Sequence, residues 1–433
     1  MHFARRKYGG GGTRSLRLAG AAAAACALVS LVWSNCRADN VPGAVPDVVE
    51  PTTPPPPGFL SRWFNPTNAP FIPVPLVGSD PNSGTTVGVL PVWIKTDEDH
   101  AIRRIIAPDV LHNPYFGFGA DARLYAYSSA DAQWSIDTGF NQKVQRNFDA
   151  EYQLGRERGQ RWSVTYSLVY NRDGTPRFYG IGNASKRGTE TNYTNSQGLA
   201  QVQVGFNFTH QWQLLYTARM RSVDVLPGTL SGIASLETRF GNIQGTGRTN
   251  VLLNRLSLIY DTRDDLTVPT QGMALVAYGG GASRHGLLND SMYSEAGFDG
   301  REFWSVGHST VVAGHVEIRY LPAAHQVPFW ALSSLGGGEN QIGGAQPLRG
   351  YGEGRFYDRN SYSGSLEVRH TVLSFDAVST RVDVELAPFV DVGRVFSQTS
   401  TLPFSQLHHV FGVGFRGIAR PFVVGKVDIG YGT

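Results

Sequence analysis

The residues able to do chemistry in this chain are few, and they are charged. "LRGY" at 348–351 sets one arginine, Arg349, between Leu348, Gly350 and Tyr351 inside the glycine-rich stretch "GGAQPLRGYGEGRFYDRN" (343–360). Downstream, "GSLEVRH" (364–370) and "APFVDVGRVF" (387–396) carry Glu367 and Asp391. A guanidinium within reach of carboxylates makes planar, forked ion pairs, which anchor a segment without transferring any group. A second charged stretch, "YDTRDDLTVPTQG" (260–272), reads as a turn whose geometry Pro269 and Gly272 set; its polar members are Tyr260, Asp261, Arg263 and Asp264. No catalytic set accompanies them. His408 and His409 are adjacent, so strand alternation sends them to opposite faces and they cannot form a metal pair alone. No Ser/His/Asp signature is present, and "GGGENQIGG" lacks the Lys-Ser/Thr of a phosphate loop. The expectation is therefore ionic anchoring, with no catalytic residues, no metal and no cofactor.

The elements that must hold these residues are strands. In "LAQVQVGFNF", Ala200, Val202, Val204, Phe206 and Phe208 share one face and Gln201, Gln203, Gly205 and Asn207 the other. "QWQLLYTARMR" sets Trp212, Leu214, Tyr216, Ala218 and Met220 against Gln211, Gln213, Thr217, Arg219 and Arg221. "RWSVTYSLVYN" and "VVAGHVEIRY" repeat the pattern. Alternation over such lengths makes strands with one apolar and one polar face. Long, aromatic-tipped strands whose polar faces carry Gly, Gln, Arg and Glu indicate an all-β transmembrane antiparallel barrel, apolar toward lipid and polar toward the lumen. A secreted β-sandwich or propeller is the alternative fold. Fifteen strands are read: 85–97, 115–128, 131–142, 145–156, 160–172, 194–208, 211–224, 249–261, 271–283, 291–304, 309–321, 356–374, 381–396, 408–418 and 421–431. Short junctions such as "THQ" and "SVGH" are expected at the periplasmic end, and 98–114, 173–193, 225–248 and 322–355 as external loops. An even count of about sixteen then requires a last strand missing beyond Thr433.

The N-terminus has another character. Basic residues Arg5, Arg6, Lys7, Arg14 and Arg17 precede an apolar run from Leu18 to Trp33, and Cys36 and Ala38 sit where a cleavage site has small residues. Residues 1–38 are read as a secretory signal. Lipidation at Cys36 is the alternative, disfavoured by Trp33. Removing the signal takes both cysteines, Cys26 and Cys36, and leaves 32 basic against 35 acidic residues, a net charge of −3. The sequence pI of about 8.8 thus gives no reason to expect nucleic acid as a partner. Eleven of the 24 prolines fall between Pro42 and Pro75, so 39–80 reads as an extended periplasmic leader and 81–433 as the barrel domain.

The turn "YDTRDDLTVPTQG" and the loop "LRGY", taken in this order along an alternating chain, resemble the bacterial surface antigen barrel family, the barrel of the BamA and TamA outer-membrane assembly proteins and of two-partner secretion transporters. The resemblance runs from about Pro73 to Thr433. It implies a 16-stranded barrel whose sixth external loop folds into the lumen and offers its arginine to acids on the next two strands. The matching positions are Arg349, Glu367 and Asp391, and the alternation of 363–369 and 383–393 independently points both acids inward. Leu348 and Tyr351 are expected to pack beside the arginine. Assembly members carry POTRA domains before the barrel, where this chain has its Pro-rich leader. The implied role is non-enzymatic: assisting insertion or translocation of protein or lipid at a Gram-negative outer membrane. The expected partners are outer-membrane lipid and unfolded outer-membrane or secreted protein clients. A passive pore is the alternative, followed by an outer-membrane enzyme. Pro91, inside "VGVLPVWIK", is read as a mark of a weak seam edge, with a β-bulge as the equal alternative.

Overall fold

The computed structural model describes residues 72–97, 102–129, 131–155, 157–266, 268–282, 291–337, 348–377, 380–397, 405–419 and 423–432. The signal expected at 1–38 and nearly all of the expected leader lie outside them. The strands run, in order, β1 (Ile72–Asp80), β2 (Gly84–Thr96), β3 (Ile102–Asn113), β4 (Gly117–Ser129), β5 (Ala132–Asn141), β6 (Arg146–Leu154), β7 (Trp162–Asp173) and the two-residue β8 (Arg177–Phe178). They continue with β9 (Thr191–Asn207), β10 (Trp212–Pro227), β11 (Gly247–Asp261), β12 (Gly272–Ala282), β13 (Met292–Val306) and β14 (Thr310–Tyr320). The short β15 (Ala324–Gln326), β16 (Ser333–Leu335) and β17 (Phe356–Asp358) precede β18 (Asn360–Ala377), β19 (Thr380–Phe396), β20 (His408–Ala419) and β21 (Val423–Gly432).

Nineteen of these form one sheet; β8 and β15 are short additions, which leaves a wall of seventeen strands, each paired antiparallel with its neighbour in sequence. The wall is a nearly closed barrel. No helix among the described residues is long and apolar enough to cross a membrane. The outer face carries exposed apolar side chains, among them Tyr166, Leu168, Val202, Tyr216, Leu256, Val316, Leu366 and Phe411. Thr217, Arg255, Glu295, Glu317, Glu367 and Asp391 are buried on the inner face. This is the inversion a lipid solvent demands. Hydrocarbon accepts apolar side chains outside, and backbone polar groups pair between strands.

Three sequence expectations are corrected. The stretch 98–114, expected as an external loop, contains β3. Its pattern is blurred because inward Ile105 and Ala107 are apolar and join Val92, Ile102 and Tyr127 in a buried cluster, while inward Asp109 bonds Arg123 at 2.5 Å. Residues 72–80, expected as the end of the leader, form β1; Pro73 and Pro75 hid it. With β1 and β3 included, the described residues form seventeen wall strands where fifteen are read from the sequence. Third, Pro91 lies in the second strand rather than the first. The β2–β3 register runs Val89↔Val110 and then Trp93↔Ile106, and between them Pro91 stands opposite Pro108. Neither has an N–H, so the missing ladder bonds lie between β2 and β3.

The end of the barrel bearing long connections is filled. Segments from 174–190, 228–246 and 321–335 bring Phe178, Leu236, Leu321, Phe329 and Trp330 against wall residues Val223, Val251 and Tyr293 in one buried cluster. Glu295, with its side chain fully buried, accepts Arg255 Nε at 2.8 Å and Arg319 Nη2 at 3.0 Å, and Arg319 also donates to the carbonyls of Ala331 and Leu332. This inner ionic group ties the inserted turn to the wall. Trp330 of the buried cluster also lines a polar cavity of about 510 Å³, together with Asp80, Asp121, Asp173, Arg221 and Glu353.

Candidate functional site: an arginine anchor in the lumen

Leu348 begins the tip with φ +73°, a left-handed conformation that costs a non-glycine residue free energy and persists only where packing enforces it. The enforcing contacts are visible. Leu348 is fully buried with Leu335, Tyr351, Phe356, Phe389, Val395 and Val410. Tyr351 N donates to Leu348 O at 3.0 Å, closing a tight turn that thrusts Arg349 toward the wall.

Arg349 then uses every donor group it has. Its backbone N, Nε and Nη2 donate to Asp391 at 3.1, 3.0 and 2.8 Å, a planar fork on one carboxylate. Nη1 donates to Glu367 Oε2 at 2.8 Å and lies 3.4 Å from Asp428 Oδ2. Nη2 also meets Ser365 Oγ at 3.2 Å, and the guanidinium sits 3.4 Å from the centroid of the Phe389 ring. Asp391 is fully buried and accepts a further bond from Ser365 Oγ at 2.7 Å. Glu367 is shared with Arg369 at 2.8 Å and with Arg416. Strands β18, β19, β20 and β21 therefore each contribute a charged partner to one network. Burial disfavours the Arg349 charge, but the hydrogen bonds and charge of Asp391, followed by Glu367, more than offset it and hold the group above its usual range.

Glycine is required where the tip touches the last strand. A Cβ on Gly350 would lie 2.8 Å from Gly432 N and 3.0 Å from the carbonyl carbons of Gly430 and Tyr431. On its other side the tip reaches the first hairpin: Asn82 Nδ2, in the β1–β2 turn, donates to Glu353 O at 2.8 Å, and Asn82 O accepts from Arg177 at 2.9 Å. Residues 350–353 thus touch both β21 and the β1–β2 turn. Residues 177–185, which begin with "RFYGIGN" (177–183), brace the same segment and β19: Gly182 N donates to Tyr357 O at 2.7 Å, Val395 N to Asn183 Oδ1 at 3.1 Å, and Arg355 to the Ser185 hydroxyl and carbonyl. His408 stacks on Phe356 at 3.8 Å and lies 3.1 Å from Asn183 O.

Of the residues singled out by sequence, Leu348, Arg349, Gly350, Tyr351, Glu367 and Asp391 converge here. The turn residues lie elsewhere and hold themselves. Asp261 accepts Arg263 at 2.8 Å and Arg158, from the neighbouring turn, at 3.4 Å; Asp264 accepts Thr270 N at 2.9 Å; Gly272 has φ +92°. Tyr260 packs against Trp212 with ring centroids 4.7 Å apart, and Pro269 lies in the same turn, ahead of Gly272. Sequence reasoning missed Asp428, Arg416 and Asn82. Inward parity was the available signal for the first two, and none existed for Asn82.

Glu353 faces the cavity. Desolvation among the surrounding luminal segments first, then the charges of Asp173 and Asp80, push its carboxyl from 4.5 up to about 7, and the exposure of the side chain to the cavity screens part of that shift. The folded chain holds this proton more tightly than the unfolded chain. Stability associated with it is therefore fully present below about pH 4.5 and is lost as pH rises toward 7. Glu353→Gln should flatten the slope of the unfolding midpoint across that window. An unchanged slope would remove Glu353 as its source.

A wall of amphipathic strands around a loop tip anchored by arginine defines a transmembrane β-barrel of the outer-membrane type with an inserted luminal loop. An Omp85 superfamily domain matches residues 118–422, well over half of the sequence, and the chain belongs to that superfamily. Among solved structures, BamA from Haemophilus ducreyi lacking POTRA domains 1–3 is similar at 12% identity over 86% of this chain and 77% of that one, TM-score 0.47. CdiB from Escherichia coli is similar at 11% identity over 83% of this chain and 67% of that one, TM-score 0.49, and CdiB from Acinetobacter baumannii at 12% over 84% and 59%, TM-score 0.42. No curated protein matches in sequence.

Proposed function

We propose that this chain is a non-enzymatic barrel of the Gram-negative outer membrane that assists insertion or translocation of protein there, its long-loop end facing outward. The observation that carries the reading is the placement of the Arg349 tip. It is tied to β18, β19 and β21 and leans onto the β1–β2 turn, and among the described residues no strand ladder joins β21 to β1. A barrel whose two wall ends are bridged by a loop, rather than zipped by backbone bonds, can part there without breaking a ladder. Unfolded barrel proteins, which must form strand pairs as they enter lipid, are the fitting clients, and lipid is the surrounding partner. The passive pore is the weaker reading, because the apolar cluster around Phe178, Phe329 and Trp330 fills the long-loop end.

The test is reconstitution of the purified chain in phosphatidylethanolamine–phosphatidylglycerol liposomes. A urea-denatured outer-membrane barrel is added, and its conversion to a protease-resistant, heat-modifiable form is timed. Acceleration of at least several-fold over liposomes holding an inert barrel is expected. Equal rates would sink the proposal, and steady open-channel conductance would favour the pore.

A further inference from the structure

The wall has seventeen strands, and the odd number has a consequence. Sixteen antiparallel steps separate β1 from β21, so the two run in the same direction. Without β1 the wall has sixteen strands, an even count of the kind bacterial single-chain barrels use, and its terminal strands β2 and β21 run antiparallel. β1 therefore lies on the edge of β2 to which β21 would otherwise pair.

The backbone of β1 suits an occupant of that edge. It matches β2 without interruption over nine residues, from Ile72↔Val92 to Asp80↔Gly84. The turn is tight, with Asp80 Oδ1 accepting Asn82 N at 2.7 Å and Ser83 N at 3.0 Å. The prolines then decide what the far edge can do. Pro91 and Pro108 stand opposite each other where the β2–β3 ladder is interrupted, so the Pro91 nitrogen points toward β3. Bonding direction alternates along a strand, so Pro91 and its partner Pro73 form a non-hydrogen-bonded pair across β1–β2. Pro73 and Pro75 have the same parity. Their nitrogens face away from β2, toward β21, on the edge where β1 would have to donate. Proline there blunts an edge against further pairing without weakening the inner ladder.

We infer that Ile72–Asp80 is a built-in seam strand. The chain's own segment occupies the pairing edge of β2, keeps β21 from zipping to it, and is displaceable because no strand ladder among the described residues holds its outer edge. The barrel then has two states: seventeen strands with the segment in the seam, and sixteen with β2 free to pair with β21 or with an incoming extended strand. This deepens the assembly reading, and rests on it only for the incoming strand.

The experiment reads disulfides in the full chain, with Cys26 and Cys36 replaced by Ser, in outer-membrane vesicles. Val77 and Val87 are directly paired and both exposed on the outer face. Val77→Cys/Val87→Cys should cross-link nearly completely. Val87→Cys combined in turn with Val427→Cys, Ile429→Cys or Tyr431→Cys, all outward on β21, should cross-link poorly. Deleting 72–80 should keep the barrel heat-modifiable and raise the best of these β2–β21 cross-links at least tenfold. Absence of the 77–87 disulfide, or β2–β21 cross-linking equally strong in the full chain, would overturn the seam strand. Loss of heat-modifiability on deletion would overturn its displaceability. None of these readouts depends on client folding, so they fail separately from the proposed function.

Discussion

Arg349→Ala is expected to lower the stability of the folded barrel by about 3 kcal/mol, the scale for breaking a buried ion pair from one side. The asymmetry of the site sets the size. Asp391 is fully buried, and besides the arginine's side chain and backbone N it accepts from the Ser365 hydroxyl. Glu367 suffers less, because Arg369 and Arg416 remain on it. Most of the loss is thus an uncompensated charge at Asp391, together with the contact of the guanidinium with the Phe389 ring. Two controls separate these parts. Arg349→Lys should recover less than half of the loss, since an ammonium cannot span Asp391 and Glu367 with a planar fork. Asp391→Asn placed in the Arg349→Ala background should recover part of it by removing the stranded charge. The measurement is the urea midpoint of heat-modifiability. A single variant within about 0.5 kcal/mol of the parent, the range of ordinary surface changes, would show that the network is not an anchor.

Gly350→Val should produce the second largest effect, about 2 kcal/mol, for a steric reason. The added Cβ would crowd backbone atoms of Gly430, Tyr431 and Gly432, and backbone in a paired strand cannot turn aside as a flexible side chain can. Either the tip lifts and stretches the Arg349–Asp391 fork, or β21 shifts against β20. Gly188→Val is the matched control, since a Cβ there meets nothing within 4 Å. If both variants unfold at the same urea concentration, the tip does not bear on the last strand.

How far the sequence reached depended on which quantity a residue's identity encodes. Facing direction is encoded, because lipid and lumen are opposite solvents and side chains alternate at period two. This made the long strands such as β9, β10 and β14 legible and set Glu367 and Asp391 inward. The alternation failed at β3, where Ile105 and Ala107 are apolar yet inward, and at β1, where proline masks a strand that only an edge tolerates. The "LRGY" motif pointed to Arg349 with its two acids.

Level along the barrel axis and the depth of a loop are not encoded in any one strand. They come from register summed across many pairs and from packing of the inserted segments. The tertiary structure alone put Asp428 and Arg416 at the height of Arg349, set Asn82 beside Glu353, and joined Arg255, Glu295 and Arg319 under the Phe329–Leu332 turn. It alone placed β1 on the edge of β2 through the tight turn after Asp80, with no ladder from β21 to that edge among the described residues, because which strands meet where a sheet closes depends on the whole wall and not on the composition of any one strand.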